Sequence, residues 1–429
     1  MAESINIIES KNRKTRIIPA AAIIFALVFG WFAVTRQLGN MLAELTPPTA
    51  SNAKQVADAA VGFAPRDPLA NWFAASVGKN VFTLERTESA VKLSENVVRL
   101  APFDFRWWIE LGRAYENAEK YEQAENALLR AVELAPNYVY PRWQLGNFYL
   151  RRDRSDEAFA ELKKATAANI AYRDQVYSIA WDYFERDTGK VEEIAGNSPE
   201  NKLSLVKFYA VKERAADSLR IWNSLSEEEK RLDPGFAKVV AQALYEKRFY
   251  RSAIEFARQT GIDPEAKAET ITNGGFEKPI GDPQETYFGW KISPAEKLEI
   301  KTDATQKKEG ARSLRVVFTG YSGTNFNHIS QVAAIETNKK YRLSFWLKTE
   351  NLKSAGTPTL EVVNAGDDKI ITASKPFPTG TNDWQEINLE FTMPENSEGI
   401  YIRTARAYCG DVCPIAGTFW IDDFRIGEQ

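Results

Sequence analysis

The spacing of apolar positions changes three times along the chain, and each change marks a segment. From Ile17 to Val34 no residue is charged: IIPAAAIIFALVFGWFAV is 18 residues long, near the lower limit for a helix that crosses a bilayer core. From about Ser51 to Gly261 apolar residues return every three or four positions, the period of a helix with one buried face. From Thr270 to Gln429 that period is lost. Short runs replace it: Ser313 to Phe318, Ile329 to Ile335, Tyr341 to Lys348, Thr359 to Val363, Trp384 to Phe391, Ile400 to Thr404 and Phe419 to Ile426. Turn formers such as Asn273-Gly274-Gly275 and Gly366-Asp367-Asp368 separate them, which predicts a two-sheet antiparallel sandwich. Alternation sends Tyr341, Leu343, Phe345 and Leu347 inward and Arg342, Ser344, Trp346 and Lys348 outward. The same parity puts Ile400 and Ile402 inside, Tyr401 and Arg403 outside, and Gln331 inside as a hydrogen-bonded amide.

The helical segment repeats itself. Trp108, Leu111, Gly112, Tyr115, Tyr121, Ala124, Leu128, Ala131 and Pro136 are followed, 34 positions on, by Arg142, Leu145, Gly146, Tyr149, Ser155, Ala158, Leu162, Ala165 and Ile170. This period, with W-x2-L-G-x2-Y and then A-x3-L-x2-A, resembles the tetratricopeptide repeat. The resemblance implies antiparallel helix pairs that cross at small residues and stack into a right-handed superhelix, because one pair cannot bury its own apolar face. Weaker copies fit Ala53, Ala57, Ala60 and Pro65, and Ala90, Ser94, Val97 and Pro102, with extra residues at Gly78 to Thr83. A third copy carries Ile179, Ala180 and Tyr183 at the same offset, followed by a clipped second helix. Leu205, Tyr209, Ser218 and Trp222 suit a fourth, and Val240, Leu244, Ala253 and Ala257 a fifth. Carried over from the family, the groove positions are Arg113, Tyr140, Trp143, Asn147, Arg151, Tyr177 and Trp181. They form an aromatic and cationic wall of the composition that anchors protein partners.

A second resemblance covers the sandwich. Asn273-Gly274-Gly275-Phe276-Glu277, Gly289-Trp290, Ser313-Leu314-Arg315-Val316, Tyr341-x-Leu343-Ser344-Phe345-Trp346, Asp383-Trp384 and Trp420-Ile421-Asp422-Asp423-Phe424 are similar to carbohydrate-binding modules with a galactose-binding-like jelly roll. Aromatic platforms for sugar C–H faces and polar groups for hydroxyls are available in Trp346, Tyr401 and Arg403, with Tyr321, Asn325, Phe326 and His328 from the preceding loop. The competing reading puts Trp346 beneath a loop. The resemblance also implies a structural calcium between the opening and closing segments, held by Glu277 and by Asp422 or Asp423, hard oxygen ligands of the kind calcium takes. The alternative is that these acids cap turns. Cys409 and Cys413 lie four apart beside Gly410 and Pro414, so a tight loop with a structural disulfide is expected in an oxidising compartment. A C-x3-C redox centre is the other reading.

Composition narrows the function classes. At 429 residues two or three domains are expected, and a net charge of −3 offers no basic field for nucleic acid. Two cysteines and one histidine leave no zinc set of the usual kind and little room for a Ser-His-acid mechanism, so no catalytic cofactor is expected. Lys11, Arg13, Lys14 and Arg16 flank the apolar run on one side and Arg36 on the other, which keeps the N-terminus cytoplasmic. A cleaved signal peptide competes, but no A-x-A site follows and Trp31 and Phe32 are bulky. The expected fold class is multidomain: a single N-terminal transmembrane helix, an all-α tetratricopeptide superhelix and an all-β jelly-roll sandwich. The expected layout is a cytoplasmic N-terminus (1–16), a transmembrane helix (17–35), a linker (36–50), a repeat domain (51–262) and a carbohydrate-binding-like sandwich (270–429). The expected function is that of a non-catalytic accessory protein of a bacterial inner membrane. Most of its chain is expected in the periplasm, holding protein partners and polysaccharide in envelope-glycan assembly or export. The rivals are a pure protein scaffold whose sandwich docks protein, and a glycoside hydrolase or lyase, which needs only paired carboxylates.

Overall fold

The computed structural model describes residues 13–77, 84–168, 170–282 and 286–429, and the chain separates into two compact units, 1–194 and 195–429. Lys11 of the basic flank and the extra residues Gly78 to Thr83 lie outside the described residues.

In the first unit, α1 (Arg13–Leu45) contains the apolar run and continues past it; Ile17–Leu45 is long and apolar enough to cross a membrane. The segment expected as a linker from residue 36 is therefore helical through Leu45. Packing is the reason. Gly39 and Ala43 share a helix face, and a Cβ at Gly39 would lie 2.5 Å from the Cβ of Ala64. Ala43 is buried with Ala57 and Ala60 of α2 (Ala53–Phe63). Asn40 donates to Asp67, whose carboxylate also caps α3 (Pro68–Ser76) by accepting from the Leu69 and Ala70 amides, with Pro68 in the first turn.

After α4 (Leu84–Leu100) come the hairpins α5 (Phe105–Asn117) with α6 (Tyr121–Leu134), and α7 (Val139–Arg151) with α8 (Ser155–Ala168). Each crosses at a glycine. A Cβ at Gly112 would stand 2.8 Å from Leu128 Cγ, and one at Gly146 2.8 Å from Leu162 Cγ. Each turn closes the same way: Lys120 N–H donates to the Tyr115 carbonyl and Arg154 N–H to that of Tyr149, with Glu119 and Asp153 both at φ 56°. In the third hairpin, α9 (Ile170–Tyr183) with α10 (Thr188–Ala195), the equivalent bond runs from Arg186 N–H to the Trp181 carbonyl. Trp181 is thus the counterpart of Tyr149, and Tyr177 that of the core residue Leu145. The register is two residues shorter than the 34-residue spacing predicts. The cause is visible in the helix bounds: α6 and α7 are separated by residues 135–138, whereas α8 ends at Ala168 and α9 begins at Ile170.

The second unit begins with α11 (Pro199–Val211) and α12 (Ala215–Asn223), then a single turn, α13 (Glu227–Lys230), and the hairpin α14 (Phe236–Glu246) with α15 (Tyr250–Gln259). Arg214 N–H to the Tyr209 carbonyl and Phe249 N–H to the Leu244 carbonyl repeat the turn bond, and Leu205, Tyr209, Trp222, Val240 and Leu244 are buried.

The sandwich follows. One sheet has the order β1 (Lys291–Ile292), β4 (Ile329–Ala334), β9 (Gly399–Arg406), β6 (Pro358–Asn364), β7 (Ile370–Ala373). The other has the order β2 (Leu298–Asp303), β3 (Ser313–Tyr321), β10 (Ile415–Glu428), β5 (Lys340–Lys353), β8 (Gly380–Thr392). Every pairing is antiparallel. Phe276, Trp290, Phe318, Phe345, Ile402, Phe419 and Phe424 fill the space between the sheets. Side-chain alternation puts Tyr341, Leu343, Phe345 and Leu347 in this core, and Gln331 is buried with its amide nitrogen donating to the Thr272 carbonyl at 2.8 Å.

Candidate binding surfaces

On the first unit, the first helices of two hairpins present a polar and aromatic row. Arg113 donates to the Tyr140 hydroxyl at 2.9 Å and pairs with Glu110 at 2.6 Å; Glu110 in turn accepts from the Trp72 indole at 3.1 Å. Arg151 grips Glu116 with both Nε and Nη2, at 2.7 and 2.9 Å. The Asn147 amide donates to the Trp143 carbonyl. Tyr140 is 39% exposed.

Two expected groove residues are not on this surface. Tyr177 is fully buried and Trp181 is 5% exposed, because the shortened register turns both into the core of the hairpin stack. Their place is taken by Tyr172, whose ring centroid lies 5.3 Å from that of Trp143. The row is therefore Arg113, Tyr140, Trp143, Tyr172, Arg151. Tyr172 was within reach of sequence reasoning through the missing residues before α9.

The seven residues expected to hold a sugar do not form one surface. Trp346 is on β5, and Tyr401 and Arg403 are on β9, so they face outward from opposite sheets. Trp346 lies beneath the β2–β3 loop, with the Lys308 ammonium 4.0 Å from its ring centroid. The Tyr401 hydroxyl is 3.2 Å from that of Tyr250 on α15, and Arg403 is paired with Glu361 at 2.8 Å. Phe326 is fully buried against Phe318 and Phe419.

Tyr321, Asn325 and His328 do come together, at one end of the sandwich. The Tyr321 hydroxyl is 2.6 Å from the Asn325 carbonyl and 3.0 Å from His328 Nε2, while His328 Nδ1 is 3.0 Å from the Ser293 carbonyl. The Asn325 and Ser293 carbonyls can only accept, so the Tyr321 hydroxyl and His328 Nδ1 are the donors to them. Burial raises the Tyr321 phenol above its ordinary value. Beside this cluster runs the β9–β10 loop, closed by a disulfide between Cys409 and Cys413 with Cα atoms 5.6 Å apart. Arg406 ties this end together, donating to the carbonyls of Gly323, Gly356 and Cys413 and to the Ser354 hydroxyl. The loop displays Tyr408, 82% exposed. Neither Tyr408 nor the clamp by Arg406 has a motif that would single it out.

Of the acids expected around calcium, Glu277 and Asp422 both meet the 306–312 loop. Asp423 pairs with Arg425 at 2.8 Å. Asp422 is fully buried and accepts from the Lys308, Glu309 and Asp423 amides, and Glu277 accepts from the Ala311 and Arg312 amides. Burial raises the Asp422 carboxyl above its ordinary range, and the three N–H donors oppose that rise. Backbone N–H groups thus satisfy the carboxylates of Glu277 and Asp422 in the manner of turn-capping acids. Among the described residues no group of three acidic, histidine or cysteine side chains is placed to hold a metal. Glu277 and Asp422 instead anchor the 306–312 loop.

Residues 268–406 match the family of the carbohydrate binding domain. Residues 105–138 match the tetratricopeptide repeat. Both are typically non-catalytic binding modules. Among solved structures, the sandwich is similar to a CBM4 structure (18% identity, 37% of this chain, 99% of that chain, TM-score 0.28). It is also similar to TmCBM61 in complex with beta-1,4-galactotriose (16% identity, 38% and 100%, TM-score 0.27). A further similarity is to MamA from Desulfovibrio magneticus RS-1 (27% identity, 31% and 73%, TM-score 0.27). A search of curated proteins gives no match.

Proposed function

We propose that the chain is a membrane-anchored, non-catalytic scaffold that grips a partner protein through the Arg113, Tyr140, Trp143, Tyr172 and Arg151 row. We place it in a bacterial inner membrane with the N-terminus cytoplasmic and the repeats and sandwich in the periplasm, acting in assembly or export of an envelope polysaccharide. The observation that carries the reading is the row itself: neighbouring hairpins hold aromatic rings and guanidinium groups in fixed positions at the surface, the residue types in which binding energy concentrates. The helix that carries the apolar run continues without a break into Gly39 and Ala43, which pack against Ala64 and α2 of the first unit. A photo-crosslinker at position 140, used in cells and followed by identification of the adduct, tests the reading. A reproducible envelope-protein adduct that disappears with Trp143→Ala and Tyr172→Ala supports it; an adduct unchanged by both substitutions sinks it.

A second contact, with polysaccharide, rests on the loop end of the sandwich. Tyr408 offers an exposed ring on a loop held by a disulfide and by Arg406, which also donates to the Gly323 carbonyl in the segment that carries Tyr321, Asn325 and His328. Calorimetric titration of the detergent-solubilised chain with acidic and neutral polysaccharides tests it, and binding that survives Tyr408→Ala would remove this surface from the account.

A further inference from the structure

The broad outer face of the β1-β4-β9-β6-β7 sheet is met by the chain's own last hairpin, at several places along that hairpin. At its start, the Lys238 carbonyl accepts from the Tyr287 hydroxyl at 3.1 Å. At the end of α14, Tyr245 packs on Tyr287 and Phe288, with ring centroids 5.4 and 5.6 Å away, and Lys291 of β1 sits over its ring at 4.8 Å. At the turn, Arg248 donates to the Gly366 carbonyl and to Asp368 at 3.1 Å. On α15, Tyr250 is fully buried, and Arg251 pairs with Glu269 at 2.8 Å and Glu336 at 3.5 Å. Beyond the hairpin, Asp263 accepts from the Thr286 hydroxyl and the Tyr287 and Phe288 amides. At the middle of the contact β9 begins with Gly399, where a Cβ would stand 2.5 Å from the Tyr250 ring.

The signs are divided by side. Arg248 and Arg251 come from the hairpin; Asp368, Glu269 and Glu336 come from the sandwich and the segment leading into it. A ring seated against a glycine backbone, flanked by ion pairs of one polarity, is a built contact. A terminal repeat also needs an apolar face covered from outside the stack, which the sandwich supplies here.

We propose that the sandwich is the cap of the helical stack, with the α14–α15 hairpin as the standing occupant of this sheet face, so that Tyr401 is closed to polysaccharide. The inference goes beyond the proposed function, and holds whether or not the loop end binds a sugar. Hydrogen exchange on the full chain in detergent micelles tests it. Reversing the hairpin charges with Arg248→Glu and Arg251→Glu should raise exchange in residues 236–259 and 399–406 at least 10-fold, leaving residues 121–134 unchanged. Adding Asp368→Arg and Glu336→Arg should restore protection, which general unfolding would not allow. Unchanged exchange after the reversal, or no recovery after the swap, overturns the proposal. On the ligand side, Tyr401→Ala should leave titrations with a neutral β-glucan and an acidic polyuronate as they are in the parent chain. A change in either titration would show that the face is open.

Discussion

Arg113 and Tyr140 meet across two neighbouring repeats, the guanidinium donating to the phenol oxygen at 2.9 Å, and this bond holds the aromatic row in place at the surface. The two tyrosines that follow separate surface from core. Tyr172→Ala should leave the melting temperature within a degree or two of the parent and weaken partner capture. Tyr177→Ala, at a fully buried position, should cost about 3–5 kcal/mol, the range for truncating a large core side chain. Thermal melting beside a capture assay reads both, and a harmless Tyr177→Ala would contradict the two-residue register shift.

The glycine crossings give a second test. Gly112→Val or Gly146→Val forces branched atoms into the space of Leu128 or Leu162, whose Cγ atoms already lie 2.8 Å from an added Cβ. About 1–3 kcal/mol should be lost in each case, measured as a drop in urea midpoint, because the helices must separate or the leucines leave their rotamers.

Acid should loosen the first unit. The Arg154 guanidinium and the Tyr149 hydroxyl hold the Glu125 carboxyl below the usual glutamate range. The folded chain therefore binds this proton less readily than the unfolded one. The stabilisation is present above the unfolded value of about 4.3 and is lost as pH falls through the lower folded value. Urea midpoints followed from pH 6 to pH 3 should fall, and less steeply in Glu125→Gln; equal slopes would remove this ion pair from the explanation.

The loop carboxylates make a prediction about metal. Glu277→Ala hands the exposed Ala311 and Arg312 amides to water and should cost about 0.5–1.5 kcal/mol in the sandwich. Chelator or added calcium should leave the melting temperature of the parent chain where it was. A calcium-dependent rise that Glu277→Ala abolishes would show that the carboxylate turns from amides to metal.

Reducing the disulfide should have a local effect. The loop it closes, from Cys409 to Cys413, is so short that its removal should cost about 2 kcal/mol or less, by chain-entropy reasoning. Arg406 still holds the Cys413 carbonyl. Exchange should therefore rise at Tyr408 to Val412 and stay slow in β9 and β10, a pattern that exchange mass spectrometry with and without reductant resolves.

Periodicity alone told where the chain changes from apolar helix to helical repeats to sandwich, and which strand residues face the core, because burial of one face imposes its period on the sequence. Gly112 and Gly146 were legible for the same reason: a helix crossing admits only small residues. Tyr177 and Trp181 were misplaced because a repeat period says nothing about a connection that drops residues, and here the α8–α9 junction moves every side chain after it. Trp346, Tyr401 and Phe326 share a side-chain chemistry suited to sugars, yet one lies under a loop, one under α15 and one in the core. Which of them meets solvent depends on segments far away in the chain, such as Lys308 and Tyr250, and that is a property of packing in three dimensions that no local pattern records.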